Sequence, residues 1–184
     1  NGGLKPSGKF IDEAHSKLEE NDLVMVLSDV AHGNLLGRAA IIPRSNAYVL
    51  NQRVALLRIN SDVCPLFLLY NINSHQTYFK NQGAGMSQLN ISRGAVESFS
   101  SYIPEKNEQT KIGNTFQKLD SLIKQHQKKH DKLSNIKKAM LEKLFPKPGE
   151  TTPEIRFKGF SGEWVNNPIG KACGATFGGG TPST

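Results

Sequence analysis

The sequence predicts an α+β protein: a domain of mixed β-sheet and short helices, followed by one long helix that forms a coiled coil. Three observations predict it. Short apolar runs separated by clusters of Gly, Asn, Pro and Ser occupy much of residues 23–103. Apolar residues then recur with a 3.5-residue period across residues 112–144. Beyond Pro146-Lys-Pro148 the chain resumes with the composition of a β-rich domain's beginning.

Taken in order, the glycine-rich first residues read as a loop, and Ile11–Leu18 as a short helical stretch. Strand signals start at Leu23-Val-Met-Val-Leu-Ser28 and continue through Ala39-Ala-Ile-Ile42, Tyr48-Val-Leu50 and Val54–Ile59, each bounded by turn-forming residues. Leu66–Lys80 carries Leu66, Leu69, Tyr70, Ile72 and Tyr78, the pattern of an amphipathic helix. Asn81–Arg93 reads as a polar loop, and Val96–Ile103 as a last strand stopped by Pro104.

The helix follows, over Pro104–Phe145. Pro104, Glu105 and Glu108 suit an N-terminus, where fixed φ and negative charge are favourable. Ile112, Phe116, Leu119, Ile123, His126, His130, Leu133, Lys137, Met140 and Leu144 are spaced alternately by four and three residues. Such spacing defines a left-handed coiled-coil seam. At about 1.5 Å per residue the helix spans roughly 60 Å, about twice the width of a small domain, so its own domain cannot cover it. Gly113 is a blemish of about 1 kcal/mol against alanine. The organisation expected is a domain over 1–103, the helix over 104–145, a linker over 146–152, and over 153–184 the opening segment of another such domain.

Composition narrows the function. The 184 residues are 37% hydrophobic and carry a formal charge of +7. The stretch Pro104–Glu150 holds eleven Lys against six acidic residues, so +5 of that charge sits on the helical arm. A balance of this kind favours a polyanionic partner such as DNA or RNA. No apolar run reaches the ~18 residues of a membrane span, and nothing resembles a signal peptide. Cys64 and Cys173, far apart in sequence, suit reduced thiols in a cytoplasmic protein.

Catalytic signatures are missing. Phe177-Gly-Gly-Gly-Thr-Pro-Ser183 lacks the Lys and the following helix of a phosphate loop. It also lacks the context of a methyl-donor loop. No acidic pair has nuclease-like spacing with a lysine. His126 and His130 stand at i and i+4, a metal-compatible spacing, but no Glu or Cys accompanies them, so they read as seam residues and no metal is expected. Side chains suited to base edges lie on loops: Gln52 and Arg53, then Gln88, Asn90 and Arg93. Arginine reads guanine, and amide side chains read adenine, through paired hydrogen bonds.

Three stretches resemble the specificity subunit of type I restriction–modification systems. They are Asp22-Leu-Val-Met-Val-Leu-Ser28 through Tyr48-Val-Leu-Asn-Gln-Arg-Val54; Ile103-Pro-Glu-Lys-Asn-Glu-Gln-Thr-Lys-Ile112 leading to Leu119-Asp120 and Leu122-Ile123; and Pro153-Glu-Ile-Arg-Phe-Lys-Gly-Phe160 with Trp164, then Gly178-Gly-Gly-Thr-Pro-Ser183. The resemblance implies a target recognition domain that reads half of a bipartite site in double-stranded DNA. It implies that the helix pairs antiparallel and docks methyltransferase and restriction subunits. It also implies a non-catalytic subunit without cofactor of its own: S-adenosylmethionine, ATP and Mg would belong to the partner subunits. DNA contacts are expected at Gln52, Arg53, Gln88, Asn90, Arg93, Gly179, Thr181 and Ser183.

The family's order departs here in one respect: the later part of one domain precedes the helix, and the start of the next follows it. A fragment, or a half-size, circularly permuted subunit working as a homodimer, would look like this. In the homodimer, Trp164–Thr184 would pack on the second copy's domain and bury Trp164, Ile169 and Phe177 across chains. Two other readings remain open: a free-standing dimeric DNA-binding or architectural protein, and a nuclease.

Overall fold

The structure, a computed structural model, describes residues 17–30, 34–174 and 178–179. Two compact units divide it, Asn1–Ile123 and Lys124–Thr184.

The first unit is built on β1 (Leu23–Val26), β2 (Ser28–Val30), β3 (Ala39–Ile41), β4 (Val54–Leu57), α1 (Pro65–Ser74), α2 (Gln76–Asn81), β5 (Gln88–Asn90) and α3 (Arg93–Glu97). The α+β class is therefore as expected, and every strand pairing among the described residues is antiparallel. One sheet has the order β3-β1-β4; the other pairs β2 with β5. Side chains alternate along a strand, so β1 sends Leu23 and Met25 to one face and Val24 to the other. Both faces are covered. Leu23 and Met25 join Leu36, Ala39, Ile72, Phe79 and Ile91, while Val24 joins Leu18 and Ile42. That is why β1 reads as a continuous apolar run and not as an alternating one.

Phe79 is the largest fully buried side chain. Its ring packs on Tyr78 edge-on at 5.1 Å and on Phe99 at 4.9 Å between centroids. Gly37 makes room for it: at φ +73°, a Cβ there would stand 2.2 Å from the Phe79 Cβ.

Four elements differ from the expected ones. Tyr48–Leu50 forms no strand, only an isolated antiparallel bridge between Val49 and Lys17. The Leu66–Lys80 helix is two helices, broken at His75, where ψ is 33° and Nδ1 is bonded to Asn71 O at 2.8 Å. The loop Asn81–Arg93 contains β5, a three-residue strand too short and polar to show a period. The last strand, Val96–Ile103, does not form. Ser92 caps a helical turn by accepting from Ala95 N at 3.1 Å, and Phe99 turns into the Phe79 cluster instead of pairing on a sheet.

The long helix, α4 (Lys106–Lys143), has 38 residues. It starts two residues later than expected because Gln109 folds back: its Nε2 donates to Pro104 O, and its Oε1 accepts from Cys64 N at 2.8 Å. Gly113 is no blemish. A Cβ there would meet Leu66 Cβ at 2.8 Å and Phe67 N at 2.9 Å, so glycine permits the close approach of α4 to α1. Tyr70 completes the joint, stacking on Phe116 at 5.2 Å and donating its hydroxyl proton to Asp120. Burial and that carboxylate push the Tyr70 hydroxyl up to about 12, so it stays a neutral donor.

An ion pair between the buried Asp22 and the half-exposed Arg58 lies in a cleft shared with Lys106 and Thr110 at the start of α4. Asp22, 4% exposed, accepts from Arg58 Nε at 3.1 Å and Nη2 at 2.9 Å. The Arg58 hydrogen bonds hold the carboxyl below its ordinary 3.8 against the opposing effect of burial, and Glu19 N adds a third bond. A lowered folded-state value means that stability is fully present above the unfolded value and is lost as pH falls through the folded one. Urea midpoints of the wild type are therefore expected to fall below about pH 4 more steeply than those of Asp22→Asn. Parallel pH profiles would show that this pair contributes nothing.

In the second unit, the chain turns back on the end of α4. Ile155 N donates to Lys143 O at 3.0 Å, Trp164 N donates to Thr151 O at 2.7 Å, and the Phe145 and Trp164 rings meet edge-on at 6.1 Å. A short α5 (Ile169–Ala172) follows, and no strand forms among this unit's described residues. Trp164 and Ile169 are 42% and 77% exposed in this chain. Phe177 lies outside the described residues, as do Ile11–Ser16 of the expected first helix.

Candidate nucleic-acid interface and the long helix

The domain's loops converge where the chain leaves one sheet for the other. Leu27 lies between β1 and β2. Its N–H donates to Arg53 O at 2.9 Å, and its carbonyl accepts from Ile91 N at 2.8 Å. Arg53, on the turn before β4, is thereby set beside the β2–β5 pair, although the sequence separates them by dozens of residues. The turn is rigid. Asn51 Oδ1 accepts from Arg53 N at 3.0 Å, and Asn51 O accepts from Val54 N at 3.0 Å. Gln52 and Arg53 both point away from the core as exposed residues.

On β5, Gln88 and Asn90 face the same side of the strand and are linked. Gln88 Nε2 donates to Asn90 Oδ1 at 3.1 Å and also to Ser28 Oγ, while Asn90 Nδ2 donates to Gln88 O at 3.1 Å. Two amides are thus held in a fixed mutual geometry at the rim of the sheet. Side chains locked before contact lose less entropy on binding. Arg93 opens α3 three residues beyond Asn90. Its Nε donates to Glu97 Oε1 at 2.6 Å, which raises its pKa and partly neutralises its charge. Of the residues singled out from sequence, Gln52, Arg53, Gln88 and Asn90 therefore gather about Leu27, with Arg93 close by in the chain. Gly179 lies exposed in the second unit. Thr181 and Ser183 lie outside the described residues.

One basic residue at this joint escaped the sequence reading. Arg38 is exposed, and its carbonyl accepts from Val26 N at 3.0 Å, one residue from Leu27. It sits between Gly37 and the apolar Ala39–Ile42 run, where nothing local marks it. Among the described residues no group of three or more His, Cys, Asp or Glu side chains could hold a metal ion. Among the described residues no helix is long and apolar enough to cross a membrane.

The second feature is α4 itself. Only Gln109 and Gly113 are buried along it. Phe116, Leu119, Leu122, Ile123, Leu133, Ile136, Met140 and Leu141 are 41–60% exposed. At about 100° per residue the apolar stripe drifts slowly round the helix from Ile112 to Leu144, as a 3.5-residue repeat on a 3.6-residue helix must. Ile112 and Phe116 also line, with Phe67 and Tyr70, an apolar groove of about 390 Å³ between α1 and α4.

A family model described as the type I restriction modification DNA specificity domain matches residues 8–135. The type I restriction enzyme MjaVIII specificity subunit of Methanocaldococcus jannaschii is 24% identical over 144 residues, 77% of this chain and 32% of that protein. This chain spans about a third of that relative's length. The family match takes in the whole β-rich domain from Lys17 onward, with its Leu27 joint, and most of α4: the chain belongs to the type I restriction modification DNA specificity domain family.

Proposed function

We propose that this chain is a non-catalytic DNA-recognition module that reads one half of a split double-stranded site. The observation that carries the reading is the convergence at Leu27, in a member of a DNA specificity family, of an arginine turn and a locked amide pair. Arg53 has the fork for a guanine edge; Gln88 and Asn90 have the amides for adenine. Gln52 and Arg93 flank them as further contacts, and Gly179, Thr181 and Ser183 are assigned to the same DNA surface from sequence.

The reading extends to assembly. The exposed stripe of α4 pairs antiparallel with a second helix, the simplest being that of an identical chain, which gives a two-fold axis and two reading domains. The helices then dock a methyltransferase subunit and, with it, a restriction subunit. S-adenosylmethionine, ATP and Mg are the business of those partners. In the pair, the segment from Trp164 onward packs on the second copy's domain. Trp164 is the chain's one tryptophan and reports on this directly. Its fluorescence is expected to shift to shorter wavelength as concentration drives pairing; emission that stays unchanged through the monomer–dimer transition contradicts the exchange.

The function is tested by co-expressing the chain with a cognate methyltransferase subunit and mapping methylated adenines in host DNA. Modification at one recurring split motif is expected. Modification without sequence preference, or none in a stable complex, overturns the reading.

A further inference from the structure

We propose that two copies of α4 form a divalent-metal site on their two-fold axis, with His126 and His130 of each copy as its four ligands. The proposal rests on the antiparallel pairing set out above.

The seam is close to palindromic about Lys128. In an antiparallel pair with its axis there, Ile112 meets the second copy's Leu144, Phe116 meets Met140, and Ile123 meets Leu133; Leu119 meets Lys137. Three distinct layers are wholly apolar. Sliding the helices by one heptad in one direction leaves Phe116 against Leu133 as the sole such layer. Sliding them the other way leaves Ile112 and Phe116 unpaired. Hydrophobic matching therefore selects the axis at Lys128. The groove beside α1 supports the same register, because the Met140 and Leu144 ends of the second copy land on Ile112 and Phe116, which line it.

The two layers nearest the axis are then His126 against the second copy's His130, and the reverse. Within one copy these imidazoles stand one turn apart on the same face, about 5–6 Å between Cβ atoms. The pair can chelate, but one copy offers only two nitrogens, and no cluster of three ligating side chains exists among the described residues. Symmetry supplies the missing two. Four neutral imidazoles match the tetrahedral nitrogen coordination of zinc at about 2.0–2.1 Å and suit zinc, nickel or copper over magnesium or calcium.

The surroundings agree. The His130 side chain is 74% exposed in the single chain, with Nδ1 3.4 Å from Asp131 Oδ1. A carboxylate on Nδ1 favours the tautomer whose Nε2 is free to ligate. Lys124, Lys128 and Lys132 fall roughly 120–200° around the helix from Ile112, away from the seam, and only Lys129 flanks it.

The test is zinc titration of the full chain by calorimetry after treatment with a chelator, with sedimentation in parallel. One zinc per two chains is expected. The cobalt-loaded protein should show the visible absorption of a tetrahedral nitrogen set. His126→Gln and His130→Gln should each abolish both while the variants still dimerise in metal-free buffer. A wild type that dimerises without metal but binds no zinc overturns the site and leaves the pairing standing. A chain monomeric with and without zinc overturns both. Zinc bound equally by both variants, or at one per chain, overturns the assignment of ligands.

Discussion

Phe79→Ala is expected to destabilise the recognition domain by about 3–5 kcal/mol, a large part of the roughly 5–15 kcal/mol that an ordinary domain has. The ring is fully buried between Tyr78 and Phe99, and Gly37 lies so close that no side chain there could move in to fill the void. Urea unfolding followed by circular dichroism measures it. A loss below about 1 kcal/mol would show that the core can collapse around the cavity and that the domain is not organised about this ring. Because β1, α1 and α2 all meet the same cluster, the damage should reach the Leu27 joint as well as the helices.

Breaking the seam is the second large effect. Each buried Leu or Ile contributes roughly 1.5–3 kcal/mol, and an aspartate in its place adds the cost of an unpaired charge. Leu119→Asp combined with Leu133→Asp alters four positions of a symmetric pair at once. Sedimentation is expected to find the wild type dimeric and the double variant monomeric at roughly tens of micromolar, a difference of several kcal/mol in association. Both substituted positions are about half exposed in the single chain, so the variant domain should still fold. A monomeric wild type at that concentration removes the homodimer; a dimeric double variant moves the interface elsewhere.

Much of the fold could be read from the residues, and the exceptions have physical causes. The long helix was legible because seven of the ten positions at 3.5-residue spacing from Ile112 to Leu144 are apolar. β1, β3 and β4 were legible from compact apolar runs with turn residues at their ends. β5 was not, because Gln88-Leu-Asn90 is too short to establish a period and owes its strand to pairing with β2, some sixty residues away in sequence. Val96–Ile103 misled in the other direction: Val96, Phe99 and Ile103 have strand propensity, but Ser92 caps a helical turn and the Phe79 cluster takes Phe99. Propensity lost to tertiary packing there. Gly113 looked costly in isolation because the close contact with Leu66 and Phe67 that needs it is not local. The candidate interface was legible as a set of residue types but not as a place. Nothing in the sequence announces that Leu27 joins the Arg53 turn to β5, which is the fact that makes a surface of separate loops.

Selection from a pool of randomised duplex DNA, with this chain complexed to the proposed methyltransferase partner, tests the central claim most directly. The wild type is expected to enrich one split motif. The variant carrying Arg53→Ala, Gln88→Ala and Arg93→Ala together is expected to relax specific positions of that motif and to lose about 1–3 kcal/mol for each base-reading side chain removed, while the complex still assembles. A triple variant that enriches the same motif with the same affinity would contradict the assignment of the Leu27 joint as the DNA-reading surface.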